Sequence, residues 1–435
     1  MPTDLIFVAL GEELKAPIYV KSRNFSIHLL GAWWIFWLVV SCTGLNEFIQ
    51  PSSQALLQFV LLVGSFLLGF FLISSRNKQR GGARFRGVEL HGRSCSPPLR
   101  VALRGAALAC AAVLVISLYL SGAFGVSYAE YFIKLRQSAS EEWVCTGIYS
   151  LDLLTKMLIF PLSYAVLLIV IANGVRQLRL TLLISIFNFL AFSYLWQVNY
   201  PLIHLFWFLI FYELTRSYRL GSFDLSVVAV LIVLFSILLA SSVNRYGLEG
   251  EVIASFQRYL FGYHLIGFSF YDYQYTDPKS LLHVHSLGRS SIGYLDQVLQ
   301  VLSKMIGGGY NSASLENSAY NIQGIDIGRY DVRECNAFGT ILFSFYRDFN
   351  IPGIIIGGFA YGAIVTHALY RSHQNWIWGA IFMLLASSWM MGMMVSPLEQ
   401  PYFWFTISIL VLSSLSSRIL VLARRSHSQS ASNQK

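Results

Sequence analysis

Residues 335–353 read CNAFGTILFSFYRDFNIPG and set an amide, a cation and a carboxylate, Asn336, Arg347 and Asp348, beside a long apolar run. An amide both donates and accepts hydrogen bonds, a guanidinium holds phosphate through two parallel bonds, and a carboxylate can take a proton from a hydroxyl. Read as a helix of roughly 100° per residue, Asn336, Thr340, Ser344, Arg347 and Asp348 fall on one polar stripe, which Phe343 interrupts. Phe338, Ile341, Leu342, Phe345 and Phe349 form the opposite face. Asn336 and Arg347 stand roughly 16 Å apart along that axis, able to line one groove without touching. The pattern predicts a helix half-sunk at the outer membrane surface. It either walls a polar cavity or lies there plainly, with Arg347 and Asp348 as a cap or surface pair.

Other residues could share that chemistry. Between about residues 243 and 349 the cations Arg245, Arg258, Arg289, Arg329, Arg333 and Arg347 outnumber Lys279 and Lys304. Arginine stays charged when partly buried and suits a lipid-linked phosphate or pyrophosphate. Arg258 and Arg347 are embedded in aromatic, amphipathic sequence, whereas the others read equally well as solvated loop charge. His283 and His285, in HVHSLGR, could share a face on a strand and hold a metal, but no third ligand is in register and no metal site is expected. His285 near an arginine could instead act as a general base, as could Asp348 or Glu399 in SPLEQPYF. The Asn- and Tyr-rich segment YNSASLENSAYNIQGIDIGRYDVRE suits a hydroxyl-rich ligand, although an ordinary loop has the same look. Lys156 lies inside an apolar run, as an intramembrane functional group or as a cation that snorkels to the nearer surface. The phosphate-binding loop, the nucleophile elbow GxSxG and the zinc motif HExxH are absent from the sequence, which argues against an ATP-driven machine in this chain.

The elements that must position these residues are membrane spans. Of 435 residues 55% are hydrophobic and 12% charged, with mean hydropathy +0.56; soluble domains carry roughly 25% charge. The composition predicts an all-α polytopic protein of about ten spans (ten to twelve), at 26–45, 54–73, 105–124, 151–172, 180–197, 200–214, 225–242, 350–369, 376–395 and 402–422. Three parts follow: an N-terminal bundle over 1–242, a long, partly helical segment over 243–349 at one membrane face, and a C-terminal bundle with tail over 350–435. Most lysines and arginines fall on the side of the two termini, including the basic loop SSRNKQRGGARFRGVELHGR, so both termini are expected in the cytoplasm and the long segment outside. The net charge of +9 is thereby accounted for without nucleic acid, and that loop would face anionic lipid head groups. The N-terminal residues lack the look of a cleavable signal, so the first span is expected to serve as its own insertion signal. Within the long segment, EVIASFQRYLFGYHLIGFSFY reads as an aromatic amphipathic stretch, and IGYLDQVLQVLSKMIGG as a surface helix ending at Gly307–Gly309. Cys145 and Cys335 both fall on the outer side, where a disulfide could join them.

Taken together, the topology and the ending NAFGTILFSFYRDFNIPGIIIG resemble the oligosaccharide repeat-unit polymerases, the O-antigen polymerase (Wzy) family of bacteria. The family pattern runs from an Asn through a Thr-containing stretch to aromatic–x–Asp–Phe–Gly–x–x–Gly. Here it is matched by Asn336, Phe338, Thr340, Tyr346, Asp348, Phe349 and Gly353, with Asn350 in place of the first Gly. Asparagine is the residue best able to replace glycine in a left-handed turn. RYLFGYHLIGFSFYD also resembles the start of the family's long loop. The resemblance implies a fold like that of the GT-C glycosyltransferases and a place in the bacterial inner membrane. It implies transfer of a growing glycan from undecaprenyl pyrophosphate to the non-reducing-end hydroxyl of the next lipid-linked repeat, without cofactor or metal. Partners would be that lipid-linked glycan, membrane lipids and a polysaccharide chain-length regulator. On that footing Asp348, His285 and Arg347 are the expected catalytic residues, and Arg258, Arg289, Asn336, Arg245 and Tyr346 the expected substrate contacts. An O-antigen ligase would use the same donor and a similar loop. A polysaccharide or lipid transporter would instead show ionisable residues along a central pathway and paired inverted halves, and neither pattern is seen in the sequence.

Overall fold

The structure, a computed structural model, describes residues 25–43, 48–81, 97–127, 130–131, 145–173, 178–216, 225–246, 261–321, 325–329, 334–335, 339–372 and 375–413. Among the described residues six helices are long and apolar enough to cross a membrane: α1 (Phe25–Cys42), α2 (Ser53–Gly81, apolar through Arg76), α3 (Pro97–Leu120), α4 (Tyr149–Asn173), α5 (Arg179–Trp196) and the later α12 (Ile341–Arg371). Helices α6 (Tyr200–Arg216), α7 (Leu225–Tyr246), α13 (Trp376–Met391) and α14 (Pro401–Ser413) have shorter apolar stretches among the described residues. The chain is thus an all-α, multi-pass membrane protein, and each segment read as a span contains helix. Among the described residues six of those helices have the length and composition that a span requires.

Small residues let the two central helices touch. A Cβ on Gly362 of α12 would stand 2.1 Å from the Phe66 carbonyl of α2, and one on Gly69 would stand 2.2 Å from the Phe359 carbonyl. The GxxxG spacing of Gly358 and Gly362 is the sequence trace of this seam, where van der Waals contact between backbones replaces the hydrophobic effect that lipid removes. Around it Trp34 donates through its indole N–H to the Trp389 carbonyl at 3.1 Å, and Phe66 stacks on Trp389 at 4.1 Å, so that α1, α2, α12 and α13 share one aromatic core. A second polar tie crosses the apolar interior at His204 of α6, between Ser387 of α13 (3.1 Å) and Tyr402 of α14 (3.0 Å). Lys156 sits in a π-turn of α4, its ammonium 3.7 Å from the centroid of the Trp196 ring, where the aromatic face stabilises the charge.

The segment joining α7 to α12 covers one end of this bundle. Its first described helix, α8 (Tyr263–Thr276), takes in the end of the stretch read as aromatic and amphipathic, and here Leu265 to Asp272 are all buried. His264 stacks on Trp37 at 4.2 Å, Phe268 packs on Phe59 at 4.6 Å, and a Cβ on Gly267 would stand 1.8 Å from the Met393 carbonyl. Aromatic side chains on all sides are what a helix wedged between other helices needs. The pieces α9 (Arg289–Ile292), α10 (Tyr294–Met305) and α11 (Ala313–Asn321) follow, and α10 ends as expected before Gly307, at φ +77°. A two-residue antiparallel pair, β1 (Ile325–Asp326) with β2 (Glu334–Cys335), precedes α12. Cys145 stands as a free thiol, and the side chain of Cys335, the partner suggested for it, lies outside the described residues.

Candidate functional site

The expected helix over 335–353 is corrected at both ends. Residues 334–335 lie in β2, and α12 begins only at Ile341, where the Thr340 hydroxyl accepts from the Phe343 N–H at 3.3 Å. Its regular geometry then breaks at Phe349 and Asn350, just before Pro352. A proline removes a donor and restricts the residue before it, which favours a break at this point. Asn350 has φ +55° as the family pattern suggested, but with ψ −140° it lies in the mirror-extended region rather than the left-handed helical one. That region is essentially reserved for glycine and costs other residues roughly 1–3 kcal/mol. Replacing Asn350 by glycine should therefore raise the thermal unfolding midpoint of the protein in nanodiscs. An unchanged or lower midpoint would show that the Asn350 side chain, 3.4 Å from His285 Nε2, offsets the strain.

The polar stripe does not face an open groove. Ile341 to Asp348 are all buried, while the apolar Phe349 and Ile351 are exposed. The polar side chains meet instead in one network under α9–α11. Arg347 donates from Nε to the Val284 carbonyl (3.2 Å), from Nη1 to the Ala313 carbonyl (2.7 Å) and to Asn317 Oδ1, and from Nη2 to Glu316 Oε2 (2.6 Å). A planar fork can satisfy four acceptors on two elements at once, which a lysine cannot. Asp348 caps α9: it accepts from the Ser290 N–H (3.0 Å), the Ser291 N–H (2.8 Å) and the Ser286 hydroxyl. Both of its oxygens are thus engaged at the start of a helix, where negative charge is favoured.

Glu399, in the turn between α13 and α14, closes the network. Its Oε1 accepts from Asn317 Nδ2 at 2.7 Å and from the Ser344 hydroxyl at 2.8 Å, and Ser344 also shares a hydrogen bond with Ser396 (2.7 Å). Asn317 Nδ2 also donates to Ser290 at 3.1 Å. Burial pushes the Glu399 carboxyl up to about 7, against the pull of the Ser344 and Asn317 hydrogen bonds and of Arg347, while Asp348 pushes it further up. A carboxyl that titrates near neutrality can exchange a proton with a hydroxyl, and such groups gather at functional sites.

The other predicted residues lie around this network. Tyr346 is almost fully buried and meets Tyr275 and His283 edge-on at 5.7 and 6.3 Å. His283 Nε2 lies 3.1 Å from the Tyr275 carbonyl whereas the exposed His285 lies against Asn350, so the two histidines face different partners. Among the described residues no group of three His, Cys, Asp or Glu gathers within ligand reach of a metal. Arg289 is half-buried, donating to the Ser286 carbonyl (3.1 Å) and the Asn311 carbonyl (3.0 Å), with its guanidinium 5.7 Å from the Tyr310 ring centroid. Arg258 and Asn336 lie outside the described residues, as does the side chain of Arg245, whose backbone is in α7. Glu316, Asn317, Ser286 and Ser290 are network members that sequence reading did not single out, although the short polar run LENSAYN in a hydrophobic chain was a signal for the first two. His204 was likewise legible as an imidazole inside an apolar helix.

No protein-family profile, curated protein or solved structure matches the chain.

Proposed function

We propose that this protein is a membrane glycosyltransferase that polymerises oligosaccharide repeats carried on undecaprenyl pyrophosphate, at the membrane face covered by α9–α11. The observation that carries the reading is the buried Arg347–Asn317–Glu399 network, closed by Asp348, at one end of an apolar bundle. In this reading a hydroxyl of the acceptor repeat attacks the anomeric carbon of the donor glycan. The bond from that carbon to the pyrophosphate oxygen breaks, and the hydroxyl proton passes to a protein base. Glu399 is the base we favour, because Asp348 has both oxygens committed to α9. Arg289, with Arg258 and Arg245, would meet the pyrophosphate as charge develops on it. Arg347 and Asp348 would act by holding the cap that α9–α11 form over this end of the bundle, His285 at the cap rim, and Asn336 and Tyr346 by orienting sugar. Both termini would be cytoplasmic in a bacterial inner membrane, and the fold would be akin to the GT-C enzymes.

Two measurements test this. Purified protein in nanodiscs, given a lipid-linked repeat on which an established polymerase is active, is expected to release undecaprenyl pyrophosphate and build a glycan ladder. Failure to do either overturns the proposal. A strain lacking the protein is expected to cap its lipopolysaccharide with single repeats; no capping at all would make the protein a ligase.

A further inference from the structure

Helix α10 is amphipathic, but it is mounted inside out. Leu295, Leu299, Val301, Leu302 and Met305 are exposed, whereas Asp296 and Gln297 are buried. At roughly 100° per residue the apolar side chains cover an arc of about 160°, with Ser303, Asp296, Gln300 and Gln297 on the remaining side. The polar face is satisfied by the protein. Asp296 accepts from Ser312 Oγ (2.7 Å), the Ser314 N–H (3.2 Å) and the Tyr310 hydroxyl; Gln297 donates to Ser314 Oγ at 2.9 Å; Gln300 Oε1 accepts from the Ser312 N–H at 2.8 Å. The apolar face continues past the end of the helix to Ile306, which is 87% exposed. A polar face fixed inward and an apolar face turned outward is the reverse of a water-facing helix.

The bilayer that the spanning helices require is the occupant this face fits. Exposed Phe349, Ile351, Ile355 and Ile356 run down α12, a spanning helix, and so mark its lipid-facing side. The cap meets that line at its upper end: a Cβ on Gly288 would stand 3.9 Å from the Phe349 ring, and its neighbour Leu287 is exposed. From Gly288 the exposed apolar residues continue along the chain through Ile292 to Leu295 and Leu299, so α10 follows on from the cap segment that meets this side of α12. Exposed Lys304 lies at the polar edge, where an ammonium can reach the phosphates. We propose that α10 is an interfacial helix, lying with its Leu295–Leu299–Leu302–Met305 face in the headgroup–acyl boundary of the leaflet on the cap side, and so fixing the height of the cap over the membrane. The inference rests on the membrane character of the chain and not on the glycosyltransferase reading.

The test places the photo-crosslinker p-benzoylphenylalanine at position 299, 302 or 304 of the full chain, in nanodiscs of phosphatidylethanolamine and phosphatidylglycerol. Lipid adducts are expected at 299 and 302 at a yield at least fivefold above that at 304. Equal yields, adducts to a second copy of the chain, or no adducts at 299 and 302 would overturn the proposal. Hydroxyl-radical footprinting of the unsubstituted protein in the same discs guards against a variant that fails to fold. Met305 should oxidise at least fivefold more slowly than in a free peptide of residues 291–309, and oxidation at the peptide's rate would overturn the proposal.

Discussion

Replacing Arg347 by alanine is expected to loosen the whole cap and to remove roughly 3–5 kcal/mol of stability. The ion pair with Glu316 supplies little of this, because that carboxylate is 45% exposed and will be solvated once its partner is gone. The loss comes from what stays buried. The Ala313 carbonyl and the Asn317 amide oxygen would each lose a donor, at about 1–3 kcal/mol apiece for a buried group left unsatisfied, whereas the carbonyl of the exposed Val284 can turn to water. The measurement is thermal unfolding in nanodiscs together with limited trypsinolysis, since Lys279, Arg289 and Lys304 lie in or beside the cap. Cleavage at these sites should accelerate at least tenfold. Arg347→Lys should lie between wild type and alanine, because an ammonium keeps the charge but not the fork. Glu316→Gln should change little. Under the proposed activity, glycan ladders are lost in proportion to cap loosening. An Arg347→Ala protein that loses activity with unchanged unfolding and proteolysis would instead make Arg347 a direct phosphate ligand.

The contrast between Arg347 as expected and Arg347 as found shows which parts of the molecule were legible in its sequence. The all-α membrane character was legible because bulk apolarity is a property of roughly twenty consecutive residues, and no partner is needed to read it. The stop of α10 before Gly307 was legible for the same reason, since turn chemistry is local, whereas the positive φ at Asn350 was suggested only by the family pattern. The direction in which Arg347 and Asp348 face was not. A helical wheel separates the stripe from the apolar face, but it cannot say that α9 and α11, tens of residues earlier, fold back to cover the stripe. The same limit hid the mounting of α10, whose two faces were plain in sequence while their inside and outside were not. It also hid Asn317, which matters only because Arg347, Ser290 and Glu399 arrive from three distant segments. The seam between α2 and α12 lies in between, because GxxxG is a local spacing but its partner helix is not given by it.

Glu399→Gln is expected to separate stability from chemistry. Burial raises this carboxyl from 4.5 to about 7, so the folded state holds a proton that the unfolded state has released between those values. Where the folded state binds more protons, stability falls as pH rises. Wild-type protein should therefore lose stability from about pH 4.5 to 7 and then level off, at a cost of roughly 3 kcal/mol at pH 8 relative to a neutral side chain. Glutamine keeps an oxygen to accept from Asn317 and Ser344 and carries no charge, so the variant should unfold at a higher temperature than wild type at pH 8 and match it near pH 5. Its activity should move the opposite way. If Glu399 takes the acceptor proton, wild-type turnover rises with pH through about 7 as the carboxylate forms, and the glutamine variant is inactive at every pH although it is the more stable protein. A variant that is both more stable and fully active would make Glu399 a structural member of the network. The search for the base would then pass to His285 at the rim, the remaining candidate whose ring is open to solvent. Stability and activity changing in opposite directions in one substitution is the outcome that a purely structural role cannot produce, because removing a buried structural charge should harm neither.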